Sequence, residues 1–137
     1  MNEHDYIDRL LGARVAHLAT ADADGRPHMV PIVFALLNGQ IVTAVDHKPK
    51  RTARLKRLEN IRANPAVSVL ADHYDDDWTS LWWVRVDGPA RIAHEGSEFN
   101  EAIAALAAKY AQYQDRPPTG PAIAIDIEKI TGWSSRG

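Results

Sequence analysis

A cluster of basic side chains in the middle of the sequence is the strongest candidate for a chemical role. Between residues 48 and 62, only Glu59 opposes the positive charges. The whole chain is nearly neutral, with a formal net charge of −2, so this positive charge is local. A local concentration of this kind favours a site for one anionic group over a broad nucleic-acid surface. The candidate ligands of that anion are Lys48, Lys50, Arg51, Arg54, Lys56 and Arg57.

The same charges permit a plainer interpretation, in which they are the solvated face of a helix. The sequence predicts a helix over residues 52–63, capped by its first residue, with Leu55, Leu58 and Ile61 on one face. Charge runs on short helices usually face solvent. The anion site remains the favoured hypothesis, because the charge begins before the helix, in a connection that contains Pro49.

Aromatic side chains are the second candidate for a binding role. Of the four tryptophans, Trp82 and Trp83 are adjacent on a predicted strand. Neighbouring strand residues point to opposite faces, so these two cannot enter the same core. We expect one of them to face an interface or a ring-shaped ligand, while packing in the core or in a dimer is an equally open alternative.

Composition excludes several kinds of chemistry. The chain of 137 residues has no cysteine, so disulfides, thiolate zinc sites and cysteine nucleophiles are ruled out. The acidic run 72–77 matches no metal-ligand spacing and is typical of a polar loop, so no metal site is expected. No apolar run has the length of a membrane span and the first residues are unlike a signal peptide, which favours a cytoplasmic location. The sequence does not identify a catalytic acid or base.

These candidate residues must be positioned by a mainly β fold, which we expect to be one domain over residues 1–137. Tight turns are predicted at Asp24-Gly25 and Asn38-Gly39, and a bulge or edge at Gly88-Pro89. About six antiparallel strands with few helices to cover them favour a small closed barrel. Helices are predicted at residues 3–11, 52–63 and 97–113, the last capped by Ser97, and strands at 14–21, 28–37, 40–46, 67–71, 81–93 and 123–130.

Motifs along nearly the whole chain carry a family resemblance. They are RVAHLAT at 14–20, DGRPH at 24–28, VPIVF at 30–34, a basic segment ending in Asn64-Pro65, VRVDGPAR at 84–91, and ITGW at 130–133. In this order and spacing the sequence resembles the split β-barrel family that includes pyridoxamine 5′-phosphate oxidase. It is most similar to the actinobacterial branch of PPOX-class F420-dependent oxidoreductases.

The resemblance implies a fold and an activity. The fold would be a six- to seven-stranded antiparallel split β-barrel of the FMN-binding type. The protein would be a homodimer with its cofactor at the subunit interface. As an oxidoreductase, it would transfer hydride between the reduced deazaflavin coenzyme F420 and an organic acceptor that the sequence does not identify.

The resemblance also implies where the cofactor would lie. Counting back from Asn64 places Lys56-Arg57 at the family's phosphate-binding pair, and the extra charges at Lys48, Lys50, Arg51 and Arg54 are equally open candidates. The ring would rest on two strands of one subunit, against an aromatic side chain of the other. The implied ring contacts are Val30, Pro31, Ile32, Val33, Thr43 and Ala44, with Trp78 and Trp83 from the second subunit.

Three alternatives stay open. The extra positive charge suits the long anionic tail of F420, but an FMN-dependent oxidase or reductase of the pyridoxamine-phosphate oxidase type is the first alternative. The second is a non-catalytic carrier or sensor of F420 or of a heme-like ring, since no acid–base pair is evident. Nucleic-acid binding is disfavoured by the net charge of −2.

Overall fold

The computed structural model describes residues 2–45 and 55–136, and all structural statements concern these ranges. Its helices are α1 (Glu3–Gly12), α2 (Lys56–Ala63), α3 (Gly96–Lys109) and α4 (Gln112–Asp115). Its strands are β1 (Ala16–Ala21), β2 (Pro27–Ile32), β3 (Ala35–Leu37), β4 (Gln40–Ala44), β5 (Ala66–His73), β6 (Trp82–Ala93), β7 (Ala122–Asp126) and β8 (Lys129–Ser134). No helix in these ranges is long and apolar enough to cross a membrane.

The long strand β6 joins two antiparallel half-sheets. Its first half pairs with β5 and β8, in the half-sheet that also contains β1 and β2. Its second half pairs with β7, which continues to β4 and β3. Apolar side chains from both half-sheets fill one interior, closed by α1 and α2, and a second cluster lies between α3 and the strands β3, β4 and β7. The predicted mainly antiparallel split-barrel fold is confirmed.

Gly88 marks the place where β6 passes from one half-sheet to the other. The backbone of Asp126 comes so close that a Cβ on Gly88 would lie 1.8 Å from its carbonyl oxygen. Pro89 follows and has no N–H to donate, and Ala90 N–H donates to Pro65 O at 2.8 Å. The irregularity predicted at Gly88-Pro89 is therefore a change of strand partner within a continuous strand.

Two predicted strands are each divided in the structure. The predicted strand 28–37 breaks at Val33-Phe34 into β2 and β3, which lie at opposite ends of the strand order. The Phe34 N–H leaves the ladder and donates to the Tyr110 hydroxyl at 3.1 Å. The predicted strands 14–21, 28–37 and 40–46, joined by two tight turns, therefore do not lie side by side as one antiparallel meander. The predicted strand 123–130 likewise divides into β7 and β8, which accounts for eight strands where six or seven were expected.

Helix ends also differ from prediction. The start of α3 is at Gly96, with Glu95 as an N-cap that makes no side-chain bond, so Ser97 is not the cap. The helix ends at Lys109, and Tyr113 belongs to the separate α4. The described part of α2 begins at Lys56, and its predicted start at Thr52 lies outside the described residues. Both predicted turns are confirmed, with Gly25 and Gly39 at positive φ.

Candidate functional site

An open groove of about 500 Å³ lies on the outer face of the first half-sheet. It exists because alternate residues of β1, β5 and β6 point away from the core, as in any strand with one buried face. Its aromatic and imidazole side chains are His17, His73, Tyr74, Trp82, Trp83 and Trp133. The volume is in the range of small-molecule sites. The face is therefore suited to flat rings or to another protein surface.

Arg85, which lines this groove, pairs with a carboxylate beside it. Arg85 donates from Nε to Asp87 Oδ2 at 3.2 Å, and the Ser68 hydroxyl donates to Asp87 Oδ1. The Arg85 guanidinium also lies 5.9 Å from the centre of the Trp83 ring. Only one of its N–H groups has a partner among the described residues, so the rest of its fork is available to an anionic group.

The two adjacent tryptophans differ in their packing, although both reach the groove. Trp82 packs against the interior cluster, and its ring is flanked by the Arg9 guanidinium at 5.3 Å and the His73 ring at 6.4 Å. Trp83 lies on the outer face opposite Trp133 of β8. Part of the aromatic surface is thus available for contact outside the core.

Several large apolar side chains next to the groove are exposed. Trp78 is 69% exposed and donates from Nε1 to the Tyr74 hydroxyl at 3.2 Å, on the connection between β5 and β6. Met29 is 66% exposed and Trp133 is 45% exposed. A contiguous exposed apolar patch is typical of an interaction surface.

The predicted ring-contact residues on β2 and β4 lie together but present different surfaces. Thr43 donates its hydroxyl to Val33 O at 2.7 Å, which ties the end of β4 to the corner after β2. The side chains of Ile32 and Thr43 are 8% and 3% exposed, so only their backbone can meet a ligand. Pro31 is exposed on the outer face, opposite His17. The ring contacts proposed for Val30, Val33 and Ala44, whose side chains are partly buried, remain predictions.

Arg57 differs from the other basic side chains of α2. It is half-buried and makes no hydrogen bond or ion pair with any described residue, and burial lowers the pKa of its guanidinium. Lys56, by contrast, is half-exposed and lies 4.0 Å from Asp22 Oδ2. A partly desolvated cation without a counter-ion is unfavourable unless a ligand supplies the anion.

A buried polar pair fixes α2 on the barrel. Asn60 donates from Nδ2 to the Thr20 hydroxyl of β1 at 3.0 Å, and both side chains are buried. Asp22, two residues further along the chain, accepts from the backbone N–H of Arg26, and this bond, helped by the charge of Lys56, lowers the pKa of its carboxyl. These contacts place the first turn of α2 next to the turn between β1 and β2.

The other predicted anion ligands cannot be located in this way. Lys48, Lys50, Arg51 and Arg54 lie outside the described residues. The sequence reasoning missed the outer-face residues His17, Arg85 and Trp133. The alternation of side chains along a strand separates its two faces, but it does not say which face is covered.

Fold and site together define a split β-barrel protein with an aromatic outer face and, on α2, a half-buried cation. The family model of pyridoxamine 5′-phosphate oxidase matches residues 4–134, so the chain belongs to that family. The resemblance predicted from the motifs is thereby confirmed at the level of the family. Membership of the F420-dependent actinobacterial branch remains a prediction.

Solved structures with the same fold have diverse names. A conserved hypothetical protein from Mycobacterium tuberculosis is 22% identical, with 99% of this chain and 86% of that chain covered and a TM-score of 0.81. A FAD-binding protein from Mesorhizobium loti is 23% identical, covering 96% and 94%, with a TM-score of 0.74. The heme storage protein HutZ from Vibrio cholerae is 17% identical, covering 96% and 93%, with a TM-score of 0.74. The comparison with curated proteins found no match.

Proposed function

We propose that this protein is an oxidoreductase that binds a phosphorylated flavin-type cofactor between two copies of the chain. The observation that carries the proposal is the half-buried guanidinium of Arg57, which has no counter-ion among the described residues. In the sequence, Arg57 comes shortly after the basic residues Lys48, Lys50, Arg51 and Arg54. Such a concentration of donors suits a multiply charged oxyanion.

The start of α2 adds to this anion site. Leu55, at the N-cap, cannot cap the helix with its side chain, and no side chain of the described residues caps the first N–H groups. A helix N-terminus with free N–H groups and a favourable dipole attracts phosphate. Arg57 supplies a planar fork at the same end, and Asn60 holds the helix in place through Thr20. We therefore assign the cofactor phosphate to this end of α2.

The outer face supports the second half of the proposal, a homodimer. In a twofold interface the same patch meets itself, so residue i contacts j and j contacts i. The face carries the cation Arg85 and the carboxylate Asp87 side by side, and exposed apolar side chains such as Met29 and Trp133 around them. A second copy would cover this surface and bring its own Trp83 and Trp78 toward the ring held at Pro31 and the backbone of β2.

Two cofactors fit this description, and a separate observation favours each. F420 is favoured by the six cations between residues 48 and 57, which exceed what a single phosphate requires. FMN is favoured by the family to which the chain belongs, and a similarly folded protein from Mesorhizobium loti is named as FAD-binding. When bound, either cofactor supplies the hydride chemistry, and the chain's residues bind it, orient it and exclude water. We expect this activity in the cytoplasm.

A non-catalytic carrier is the second candidate function. Its support is the groove itself, in which the imidazoles of His17 and His73 stand among aromatic rings. The similarly folded HutZ is named as a heme storage protein. In that case a flat ring would bind in the groove without turnover.

Parallel titrations with FMN, F420 and hemin, followed by absorbance and tryptophan fluorescence, test these alternatives. The proposal expects one of the two flavin-type cofactors to bind at micromolar concentration with one site per chain. Tight FMN binding without F420 binding at tens of micromolar would remove the deazaflavin. Hemin binding alone would favour the carrier. Failure of both flavin-type cofactors to bind would refute the proposed function.

A further inference from the structure

Two basic side chains lie together at the C-terminal end of α3, away from α2. Lys109 places its Nζ 4.0 Å from the centre of the buried Phe34 ring and 5.4 Å from that of Tyr110. Arg14, on the connection between α1 and β1, places its guanidinium 4.6 Å from the same Tyr110 ring. It also donates from one terminal nitrogen to Lys109 O at 3.2 Å. The two cations therefore share one aromatic neighbour.

Neither cation has a carboxylate partner among the described residues. The four ion pairs formed there by lysine or arginine engage Lys56, Arg85 and, twice, Arg91. Burial, together with the charge of Arg14, lowers the pKa of Lys109 to about 8. Arg14 is exposed and Lys109 is partly buried. Their like charges repel each other, and a bound anion would offset this repulsion.

The groups around the pair leave it free to take an anion. The Tyr110 hydroxyl is already engaged with the backbone, as it accepts from Phe34 N–H and lies 2.9 Å from Arg14 O. The strands β3 and β4, which pack on α3, carry no titratable side chain. On α4, the titratable groups are Tyr113 and Asp115. On β6 and β7 they are Arg91 and Asp126, which pair with each other. Arg91 also pairs with Glu98, at the opposite end of α3.

We propose that Arg14 and Lys109 form a second anion-binding site, which takes the carboxylate or phosphate group of a small molecule. Arg14 offers the N–H groups of its fork that are not bonded to Lys109 O, and Lys109 offers a compact charge. The apolar ring of Phe34 forms the wall beside the ammonium group. The site is independent of the one assigned to α2, so each can fail without the other.

Sulfate is the first probe, because its charge does not change between pH 6 and 10, and malonate is the carboxylate probe. The ε-carbon NMR signal of Lys109 is followed at constant ionic strength, set with sodium chloride. We expect saturable movement of this signal. Sulfate should bind about tenfold more weakly at pH 9 than at pH 7, because Lys109 loses its proton over this range.

Variants separate a binding role from a structural one, and in the variants that lack Lys109 binding is followed by the side-chain Nε NMR signal of Arg14. Lys109→Arg keeps its charge and should bind sulfate at pH 9 as well as at pH 7. Lys109→Met should lose the site, whereas Lys129→Met, on the exposed start of β8, should keep it. Binding of sulfate but not malonate would assign the site to phosphate-like groups, and the reverse would assign it to carboxylates. The proposal is overturned if the Lys109 signal of the wild-type protein does not saturate with either probe, or if Lys109→Met binds both unchanged.

Discussion

Replacing Arg57 by methionine should have opposite effects on the free protein and on cofactor binding. In the free protein, the guanidinium is half-buried, has no partner among the described residues and has a pKa lowered by burial. Methionine keeps an unbranched side chain and removes the charge that is unfavourable to desolvate. We expect the free energy of unfolding of Arg57→Met to be unchanged or higher by up to about 1 kcal/mol.

Cofactor affinity should fall in the same variant. A hydrogen bond between charged partners contributes about 1.5–3 kcal/mol, which corresponds to a loss of affinity of about 10- to 150-fold. The assays are urea unfolding of the free protein and fluorescence titration with FMN and F420. Arg62→Met is the matched control, since Arg62 lies on the same helix but is exposed, and it should bind the cofactor normally.

A different pair of results would refute this reasoning. If Arg57→Met is clearly less stable than the wild-type protein, the guanidinium already has a favourable partner within the fold. If its affinity for the bound cofactor is unchanged while Arg62→Met binds more weakly, the anion lies at the other end of α2. Either result would remove Arg57 from the site.

Four further variants test other parts of the structure. If the protein forms the proposed homodimer, Met29→Glu should convert it to monomers in sedimentation velocity without loss of monomer stability. The reason is that Met29 is 66% exposed and a twofold axis would bring two added charges together. A dimer that persists would place the interface elsewhere. Thr20→Val should lower the free energy of unfolding by about 1–3 kcal/mol, because the buried Asn60 amide loses its acceptor, and a loss within experimental error would contradict that bond. Gly132→Ala should lower the free energy of unfolding by about 1–3 kcal/mol, because the new Cβ would lie 2.5 Å from the Tyr6 ring. In a double-mutant cycle, Tyr6→Leu should relieve this loss, and additive losses would show that the ring is not the obstacle. Between pH 8 and 10, the free energy of unfolding of the wild-type protein should rise relative to that of Lys109→Met. Over this range the Lys109 amine holds its proton in the unfolded protein but loses it in the folded protein, where its pKa is about 8. Parallel pH profiles of unfolding would contradict this.

Local chemistry was sufficient to predict the turns and the class of fold. Asn38-Gly39 and Asp24-Gly25 form hairpin turns because their glycines accept positive φ at no steric cost. The corner at Val33-Phe34 could not be predicted, because the apolar run is continuous there. The break depends on the Phe34 N–H bond to Tyr110, which lies 76 residues further along the chain.

The anion site stays a prediction from the sequence, whereas the outer face was found only in the structure. The concentration of charge before and within α2 indicated an anion site, and Arg57 is the member whose burial supports it. The outer face was not predicted, because which face of β6 is covered depends on pairing with β5 and β8. Arg85 and Trp133 share that face through register, and no local motif fixes the register.

The central claim is that a cofactor's anionic end is held at the start of α2. It is tested most directly by comparing the affinities for FMN and riboflavin, which differ only by the phosphate, in the wild-type protein and in Arg57→Met. The account predicts that FMN binds at least about tenfold more tightly than riboflavin to the wild-type protein, and that this ratio falls toward one in the variant. Equal affinities of the wild-type protein for FMN and riboflavin would contradict it.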